Sequence, residues 1–288
     1  QADDHFDTIL RVGHGSSGGS TPANFKADWI WEKPRNAAYS HYLIDSSRGI
    51  VDGSTQALLS NTTNAELTAN WYKPPTSSSL EFNTNDWSGS TNLVDWIWKA
   101  NGGTTSSNTD GSITATVQAN SQSGFSIVTG TAPSGTWSFG HGLTKDGSGV
   151  APDMFIYKSR SNTENWIVYH KNKTTSVPNT VGLYLNGTTT GFATGSNWIQ
   201  TVSSSLVSIT TGQATSAGTF VCYCFNEIEG YSKFDKYVGN SSSDGTYVYL
   251  GFRPAFVMIK TTTISSQYWI LRDNKRDTFN SDSSGSSL

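Results

Sequence analysis

The sequence has little of what marks several common protein classes. Only two cysteines occur in 288 residues, Cys222 and Cys224, so a disulfide scaffold is excluded by count. No apolar stretch reaches the roughly 18 residues that cross a bilayer. The net charge is −3 and no basic run is present. The chain is therefore not expected to bind nucleic acid or anionic membranes in general, since both require a basic patch.

Helical periodicity and metal-ligand spacing are also missing. Gly, Ser, Thr and Asn interrupt nearly every window, and no long stretch carries apolar residues at i, i+3, i+4 and i+7. The five histidines are scattered singly, and we expect neither a metal site nor a cofactor. His14 and His141 each stand beside glycine in a loop, where packing or hydrogen bonding is the expected role. Cys222 and Cys224 are interpreted as small hydrophobic residues on one buried strand face.

Aromatic residues are abundant by contrast. They make up 12% of the chain, nearly as much as the charged residues at 14%. Aromatic and β-branched side chains suit a pleated, half-buried surface, and clusters of Ser, Thr, Asn and Gly suit tight turns. The composition predicts an all-β fold.

A β-hairpin pattern occurs three times, over residues 28–48, 150–173 and 254–276. Each copy has an apolar strand that ends in lysine, a polar loop and a second strand. The lysines are Lys33, Lys158 and Lys260. We expect their stems to pack across the ladder on the rings that open the second strand, with the ammonium in solvent. These rings are His41, Trp166 and Trp269. Lys158→Met should then cost little stability.

Two further segments recur around the hairpin. An opening segment starts at Phe6, Phe125 and Phe234, so the copies lie about 110 to 120 residues apart, too far for a solenoid repeat. A closing aromatic segment reads LVDWIW at 93–98 and FVCYCF at 220–225. The spacing predicts tandem β-sandwich units of about 110 residues, jelly-roll or lectin-like.

The pattern divides the chain into four segments. Residues 1–103 form a first sandwich unit, 104–122 a Gly/Ser/Thr-rich linker, 123–230 a second unit, and 231–288 a partial third unit. Within the linker, the alternation of Ile113, Ala115 and Val117 is compatible with an added strand. We expect the first two units to superpose. The third has an opening strand and the hairpin, but no closing segment. We therefore expect the chain to be incomplete at Leu288, or its apolar face to be covered by a neighbouring chain.

Three aromatic residues are the candidate binding residues: Trp71, Tyr72 and Trp87. They lie among polar residues in a region of loops and short edge strands, and rings in such settings commonly bind sugars. The alternative is that they cap the end of the sandwich. Glycosidases need two carboxylates about 5 to 10 Å apart. By residue type alone the candidates are Asp45, Asp153, Glu164, Glu227, Glu229 and Asp273. No pair recurs with a supporting constellation, so no catalytic residue is assigned.

Long phrases in the second and third units resemble a known repeat. APDMFIYKSRSNTENWIVYHK, FVCYCFNEIEGYSKFDKYVGN and DGTYVYLGFRPAFVMIKTT followed by WILRDNKRDTFN are similar to virion structural proteins of marine bacteriophages, including cyanophages and pelagiphages. The resemblance covers nearly the whole chain and is weaker over 61–87. It implies a non-enzymatic structural or tail-associated protein at the virion surface, with no catalytic residue to carry over.

The expected role is therefore a tail-fibre, appendage or surface protein that takes part in host attachment. Its expected partners are other virion proteins, further copies of itself and a host-surface glycan, with no nucleic acid and no membrane span. The alternative is a carbohydrate-binding module, or a component of a tail that degrades glycans.

Overall fold

A computed structural model describes residues 2–173, 182–191, 198–212 and 215–276. In these residues the fold is all-β, with every ladder antiparallel, as the composition predicts. Two short 3-10 helices, Ala2–Asp4 and Gly15–Ser17, are the only helical turns within the described part of the chain.

The first unit builds a six-stranded sheet and a smaller three-stranded one. Its strands are β1 (Phe6–Val12), β2 (Gly19–Pro22), β3 (Trp29–Pro34), β4 (Tyr42–Asp45), β5 (Thr55–Leu59), β6 (Leu67–Ala69), β7 (Tyr72–Lys73), β8 (Ser79–Phe82) and β9 (Asn92–Trp98). The large sheet has the order β1-β9-β3-β4-β5-β6, and the small sheet has the order β2-β8-β7.

The next stretch of chain builds a second pair of sheets. Its strands are β10 (Ser106–Asn108), β11 (Ala115–Asn120), β12 (Phe125–Ala132), β13 (Thr136–Gly140), β14 (Thr144–Lys145), β15 (Ser148–Gly149), β16 (Met154–Ser159), β17 (Ile167–His170), β18 (Leu183–Tyr184), β19 (Ile199–Val202), β20 (Leu206–Thr210) and β21 (Gly218–Phe225). The seven-stranded sheet has the order β10-β11-β12-β21-β16-β17-β18, and a three-stranded sheet has the order β13-β20-β19. β14 and β15 form a separate two-stranded ribbon.

The two large sheets share one register. Trp29 on β3 lies opposite Trp98 on β9, and Phe6 on β1 lies opposite the same Trp98. In the second unit, Met154 and Phe125 both lie opposite Phe225 on β21. The closing strand therefore sits between the opening strand and the hairpin in both units, as the repeat predicts.

Each large sheet has one face covered by its own small sheet and the other face turned to a common interior. Hydrophobic side chains of the first and second units meet there, together with Trp269 and Leu271 of the third. We call this cluster the shared core. Its buried members are Trp29, Trp31, Leu43, Leu58, Val94, Trp96, Trp98, Ala100, Phe125, Ile127, Met154, Ile156, Trp166, Val168, Leu183, Leu185, Val221, Tyr223, Trp269 and Leu271.

The segment 104–122 differs from the linker interpretation. It carries β10 and β11, and β11 pairs with β12 so that Val117 lies opposite Val128. Ala115 and Val117 alternate into the core beneath the small sheet, which gives this polar segment enough apolar contact to join the sheet. The second unit also has β19, at the edge of its three-stranded sheet.

In its described residues the third unit forms one hairpin, β22 (Phe256–Ile259) paired with β23 (Ile270–Asp273). Phe256 lies opposite Asp273, which matches Trp29 opposite Asp45 in the first unit. The predicted opening strand at 234–239 is wrong, because those residues form no ladder. In the other units the opening strand pairs with the closing strand, and the described part of the third unit has no closing strand to pair with.

The repeated lysines also differ from the prediction. Lys158 is fully buried, and its Nζ donates to the carbonyl oxygens of Thr63 and Asn162, both at 3.2 Å. Lys33 Nζ likewise donates to three carbonyls of its own hairpin loop, including that of Tyr39 at 2.9 Å. The prediction that the ammonium group stays in solvent is therefore wrong for Lys158, because backbone carbonyl oxygens inside the protein bind that group.

Candidate functional site

Two of the three predicted binding residues come together on the first unit. The rings of Trp71 and Trp87 lie 6.0 Å apart at 64°, and Tyr42 meets both, at 5.0 and 5.8 Å. Tyr39, whose side chain is 53% exposed, packs on Trp87 at 4.9 Å. We call these four residues the aromatic patch. Its two indole rings are half-buried and stand at a steep angle to each other.

Tyr72 does not belong to the exposed surface. It is fully buried on β7, and its hydroxyl donates to Glu32 Oε2 at 2.9 Å and to Asp95 Oδ1 at 3.3 Å. The prediction of an exposed ring at Tyr72 is wrong because β7 lies in the small sheet, which places this side chain against the large sheet.

Beneath the patch lies a buried cluster of charges, which we call the carboxylate network: Arg11, Glu32, Asp86 and Asp95. The Arg11 guanidinium donates to Glu32 Oε2 at 2.6 Å, Asp95 Oδ2 at 2.7 Å and Asp86 Oδ2 at 2.9 Å. It also lies 3.9 Å from the centre of the Phe82 ring. One arginine thus serves three carboxylates through separate N–H groups, which its planar fork allows.

Strand register explains why these charges meet. Glu32 on β3 and Asp95 on β9 lie directly opposite each other, where two like charges would repel. Arg11 on β1 projects from the same face of the sheet and lies between them. Asp86 reaches the cluster from the loop between β8 and β9. That loop sits against Gly13, where a Cβ would lie 2.0 Å from the Trp87 carbonyl oxygen.

The network also fixes the patch. Trp87 Nε1 donates to Glu32 Oε1 at 2.7 Å, so one carboxylate orients a patch ring. His14 Nδ1 lies 3.0 Å from Asp86 Oδ2, and its ring stacks on Phe82 at 5.0 Å. The expected loop role of His14 is thus met through a carboxylate that the sequence pattern did not reveal. Trp71 Nε1 is buried and has no hydrogen-bond partner among the described residues.

Burial dominates the titration of these groups. Burial raises the pKa of Glu32 to about 7, although the Arg11 charge acts in the opposite direction. Burial also raises the pKa of Asp95, again against Arg11. Burial would lower the pKa of Arg11, but the Asp95 and Glu32 carboxylates outweigh it and raise that pKa. Arg11 therefore stays charged and offsets the repulsion among the carboxylates.

The carboxylates that the sequence analysis considered are engaged elsewhere. Asp45 and Asp273 pair with Arg48 and Arg276, each three residues further along the chain. Asp153 and Glu227 both contact Lys171 Nζ, at 3.1 and 3.3 Å. Glu164 accepts from the Ser216 N–H at 2.7 Å, and Glu229 is exposed. All of these carboxylates except Glu229 thus have a described partner. The contacts do not place two solvent-accessible carboxylates in one cleft.

In its described residues the second unit repeats neither the network nor the patch. By register its residues at the positions of Arg11, Glu32 and Asp95 are Gly130, Tyr157 and Cys222. The fold therefore forms without charges at these positions. Features shared by both units serve the fold, whereas the network and the patch are additions of the first unit.

Sequence reasoning missed Tyr39, Tyr42 and the whole network. One signal was present: Glu32 and Asp95 each interrupt an otherwise apolar, aromatic strand. Such a residue is seldom buried without a partner. Arg11 was hidden because its partners lie 21, 75 and 84 residues away.

The sequence matches, over residues 1–287, a family model described as Domain of unknown function (DUF7483). The chain belongs to this family. The matched range includes the patch, the network and both large sheets of this DUF7483 chain. No curated protein and no solved structure matches it. No helix within the described ranges is long and apolar enough to cross a membrane, and those ranges hold no group of three or more His, Cys, Asp or Glu placed to bind a metal ion.

Proposed function

We propose that this chain is a non-enzymatic structural protein of a phage virion, a tail-fibre, appendage or surface component that contacts the host through the aromatic patch. The ligand of the patch is a host-surface glycan, and the other partners are virion proteins and further copies of the chain. The fold units are tandem β-sandwiches of the jelly-roll or lectin-like kind.

The observation that carries this proposal is the difference between the two units. Both build the same register of strands, yet among the described residues only the first has such a patch, formed by Tyr39, Tyr42, Trp71 and Trp87. Burying an ion network costs desolvation free energy, and well-packed apolar residues often stabilise a sheet as well or better. Here it orients Trp87, and sugar rings stack on aromatic faces held in this way.

Binding without cleavage fits the electrostatics of the site. The side chains of Glu32, Asp86 and Asp95 are fully buried and engaged by Arg11. An acid–base pair would have to reach the glycosidic oxygen and a water molecule. The alternative proposal, a carbohydrate-binding module or a component of a glycan-degrading tail, uses the same patch but belongs to a different assembly.

Binding of the purified chain to an array of bacterial surface glycans tests the ligand. Tyr39→Ala and Trp71→Ala are expected to lower affinity at least about tenfold, since stacked rings carry much of such binding energy. Neither Tyr39 nor the Trp71 indole N–H bonds to the network. Tyr247→Ala is the matched control, because Tyr247 is 83% exposed outside both large sheets.

Equal binding by all three variants would contradict the assignment of the patch. Release of new reducing ends from a bound glycan would favour the degrading alternative. Location is tested separately by mass spectrometry of purified phage particles, where peptides of this chain are expected. Their absence from particles would contradict the virion proposal and leave the glycan result standing.

A further inference from the structure

The contacts between units repeat in a fixed order. Trp166 of the second unit donates its Nε1–H to the carbonyl oxygen of Leu59 in the first, at 2.8 Å. Trp269 of the third unit donates in the same way to the carbonyl oxygen of Tyr184 in the second, at 2.9 Å. Leu59 lies opposite Tyr42 and Tyr184 lies opposite Ile167, so the two acceptors are equivalent. Each unit thus docks on the one before it by the same contact.

The repeated lysines follow the same order. Lys158 reaches the carbonyl oxygen of Thr63 in the first unit, and Lys260 reaches that of Gly187 in the second, at 3.3 Å. Both acceptors lie just after the strand whose carbonyl oxygen accepts the tryptophan N–H, which is β5 in the first unit and β18 in the second. The lysines of the second and third units therefore link consecutive units, whereas Lys33 bonds only within its own hairpin among the described residues.

A second hydrogen bond between units also repeats, and its donor lies on the closing strand. Tyr223 on the closing strand of the second unit donates its hydroxyl to Asp45 Oδ2 of the first, at 2.7 Å. Trp96, at the equivalent position of the first unit, donates its Nε1–H to Asp273 Oδ2 of the third, at 3.1 Å. The second unit therefore donates to the first and the first to the third. The remaining step of this cycle runs from a closing strand of the third unit to the second.

That closing strand is missing from the described residues, and none of them occupies its place beside β22. β3 and β16 each have a closing strand on one edge and the second hairpin strand on the other, whereas β22 pairs with β23 only, among the described residues. All residues of β16 are buried, while all four of β22 are only partly buried. Phe256 and Met258 already pack against the shared core.

We propose that the open edge of β22 is a strand-accepting site, and that its occupant is an antiparallel closing strand from outside the described part of the chain. The two internal copies define its chemistry. Val94, Trp96 and Trp98, like Val221, Tyr223 and Phe225, place valine and two aromatic rings on the face of the shared core. The occupant therefore reads apolar–Val–x–aromatic–x–aromatic. Residues 277–288 (DTFNSDSSGSSL) lack this pattern.

The geometry favours this occupant over a general apolar ligand. An added strand would pair with the N–H and C=O groups that β22 turns away from β23, and a row of such groups is matched best by another extended backbone. It would also give the opening segment 234–239 the partner that β1 and β12 have. Tyr237 and Val238 in that segment are 51% and 84% exposed, so pairing with an added strand would bury apolar surface of these side chains.

The test uses the full chain and a fluorescein-labelled peptide of residues 218–228 carrying Cys222→Val and Cys224→Val to prevent oxidation. We expect saturable binding by anisotropy and slower backbone hydrogen exchange in 256–259. The same peptide with Tyr223→Ala and Phe225→Ala should bind at least about tenfold more weakly. A peptide with proline at position 222 should also bind weakly because it lacks one N–H.

Absence of saturable binding, or equal binding of the three peptides, would overturn the proposal. A further measurement asks whether two copies pair through this edge. If sedimentation shows a dimer that protects 256–259 and excludes the peptide, the occupant is a second copy and the proposed one is wrong. The peptides leave the protein sequence unchanged, so a failure to fold cannot mimic either result.

Discussion

At the scale of single residues, the lysine at the end of the first hairpin strand shows what an alignment of repeats can and cannot reveal. Its recurrence predicted a structural role, and that is what the structure gives. The hydrogen-bond partners of the ammonium group could not be predicted from the sequence, because those of Lys158 include the carbonyl oxygen of Thr63, 95 residues away. A fully buried ammonium bonded to neutral oxygens loses solvation that those oxygens only partly replace.

This burial makes stability depend on pH. Burial lowers the pKa of Lys158 to about 8, from 10.5 when unperturbed. Between these values the unfolded chain binds more protons than the folded one, so the free energy of unfolding rises with pH. Relative to Lys158→Met, the wild type should gain up to about 3 kcal/mol between pH 7.5 and 10.5 in urea denaturation. Lys145→Met, at an exposed lysine, is the control. Parallel profiles for wild type and Lys158→Met would contradict the prediction.

At the scale of elements, three strands of the first unit are joined by charges. β1, β3 and β9 carry Arg11, Glu32 and Asp95 on one face, and their hydrogen bonds replace the apolar contacts of the second unit. Removing the one cation would leave three buried carboxylates without compensation. Removing one carboxylate leaves the others paired, and burial already raises the pKa of Glu32 to about 7.

Arg11→Met is therefore expected to lower the free energy of unfolding by about 3 to 5 kcal/mol at pH 7. Glu32→Gln keeps the shape and an acceptor for Trp87, so it should cost less than about 1.5 kcal/mol. The double variant should lose less than the sum of the two, because the groups interact directly. Chemical denaturation of the four proteins measures this. Additive losses would show that the groups act independently.

The elements also show how far sequence reasoning reaches. The hairpins and the closing strands were predictable because apolar residues and aromatic rings recur in register. The alternation of Ile113, Ala115 and Val117 indicated β11, whereas β10 consists of Ser106, Ser107 and Asn108 and carries no apolar residue that could reveal it. The patch was half predictable: Trp71 and Trp87 stand out among polar residues, whereas Tyr72 looks the same in sequence and is buried. Whether a ring in this region points to the core or to solvent depends on strand pairing in the small sheet, and that sheet includes β2, which is distant in sequence from β7 and β8.

At the scale of the whole molecule, the shared core binds the units together. The inner face of each large sheet is apolar and is buried only against the other units. A unit on its own would expose that face, so the separate domains suggested by the repeat are not expected to be separately stable. The contacts of Tyr223 with Asp45 and Arg48 add polar links across the same boundary.

Thermal unfolding of the full chain should accordingly show one transition by both near- and far-ultraviolet circular dichroism. Tyr223→Phe removes the hydroxyl that donates to Asp45 and should lower stability by about 1 to 2 kcal/mol while the two signals still coincide. Residues 1–103 alone should bind a hydrophobic dye strongly. Two separate transitions, with only one sensitive to Tyr223→Phe, would show instead that the units unfold independently.

The stacking within the shared core has an optical consequence. Trp29 lies 4.4 Å from Trp98 and 4.4 Å from Tyr223, measured between ring centres. Chromophores this close share their excited states, so their transitions split into paired bands of opposite sign. Those bands fall where the backbone of a β-sheet also absorbs. The spectrum of the folded protein therefore reports ring geometry as well as strand content. Trp29 and Trp98 belong to one unit, so only loss of the Trp29–Tyr223 contribution signals that the first and second units have come apart.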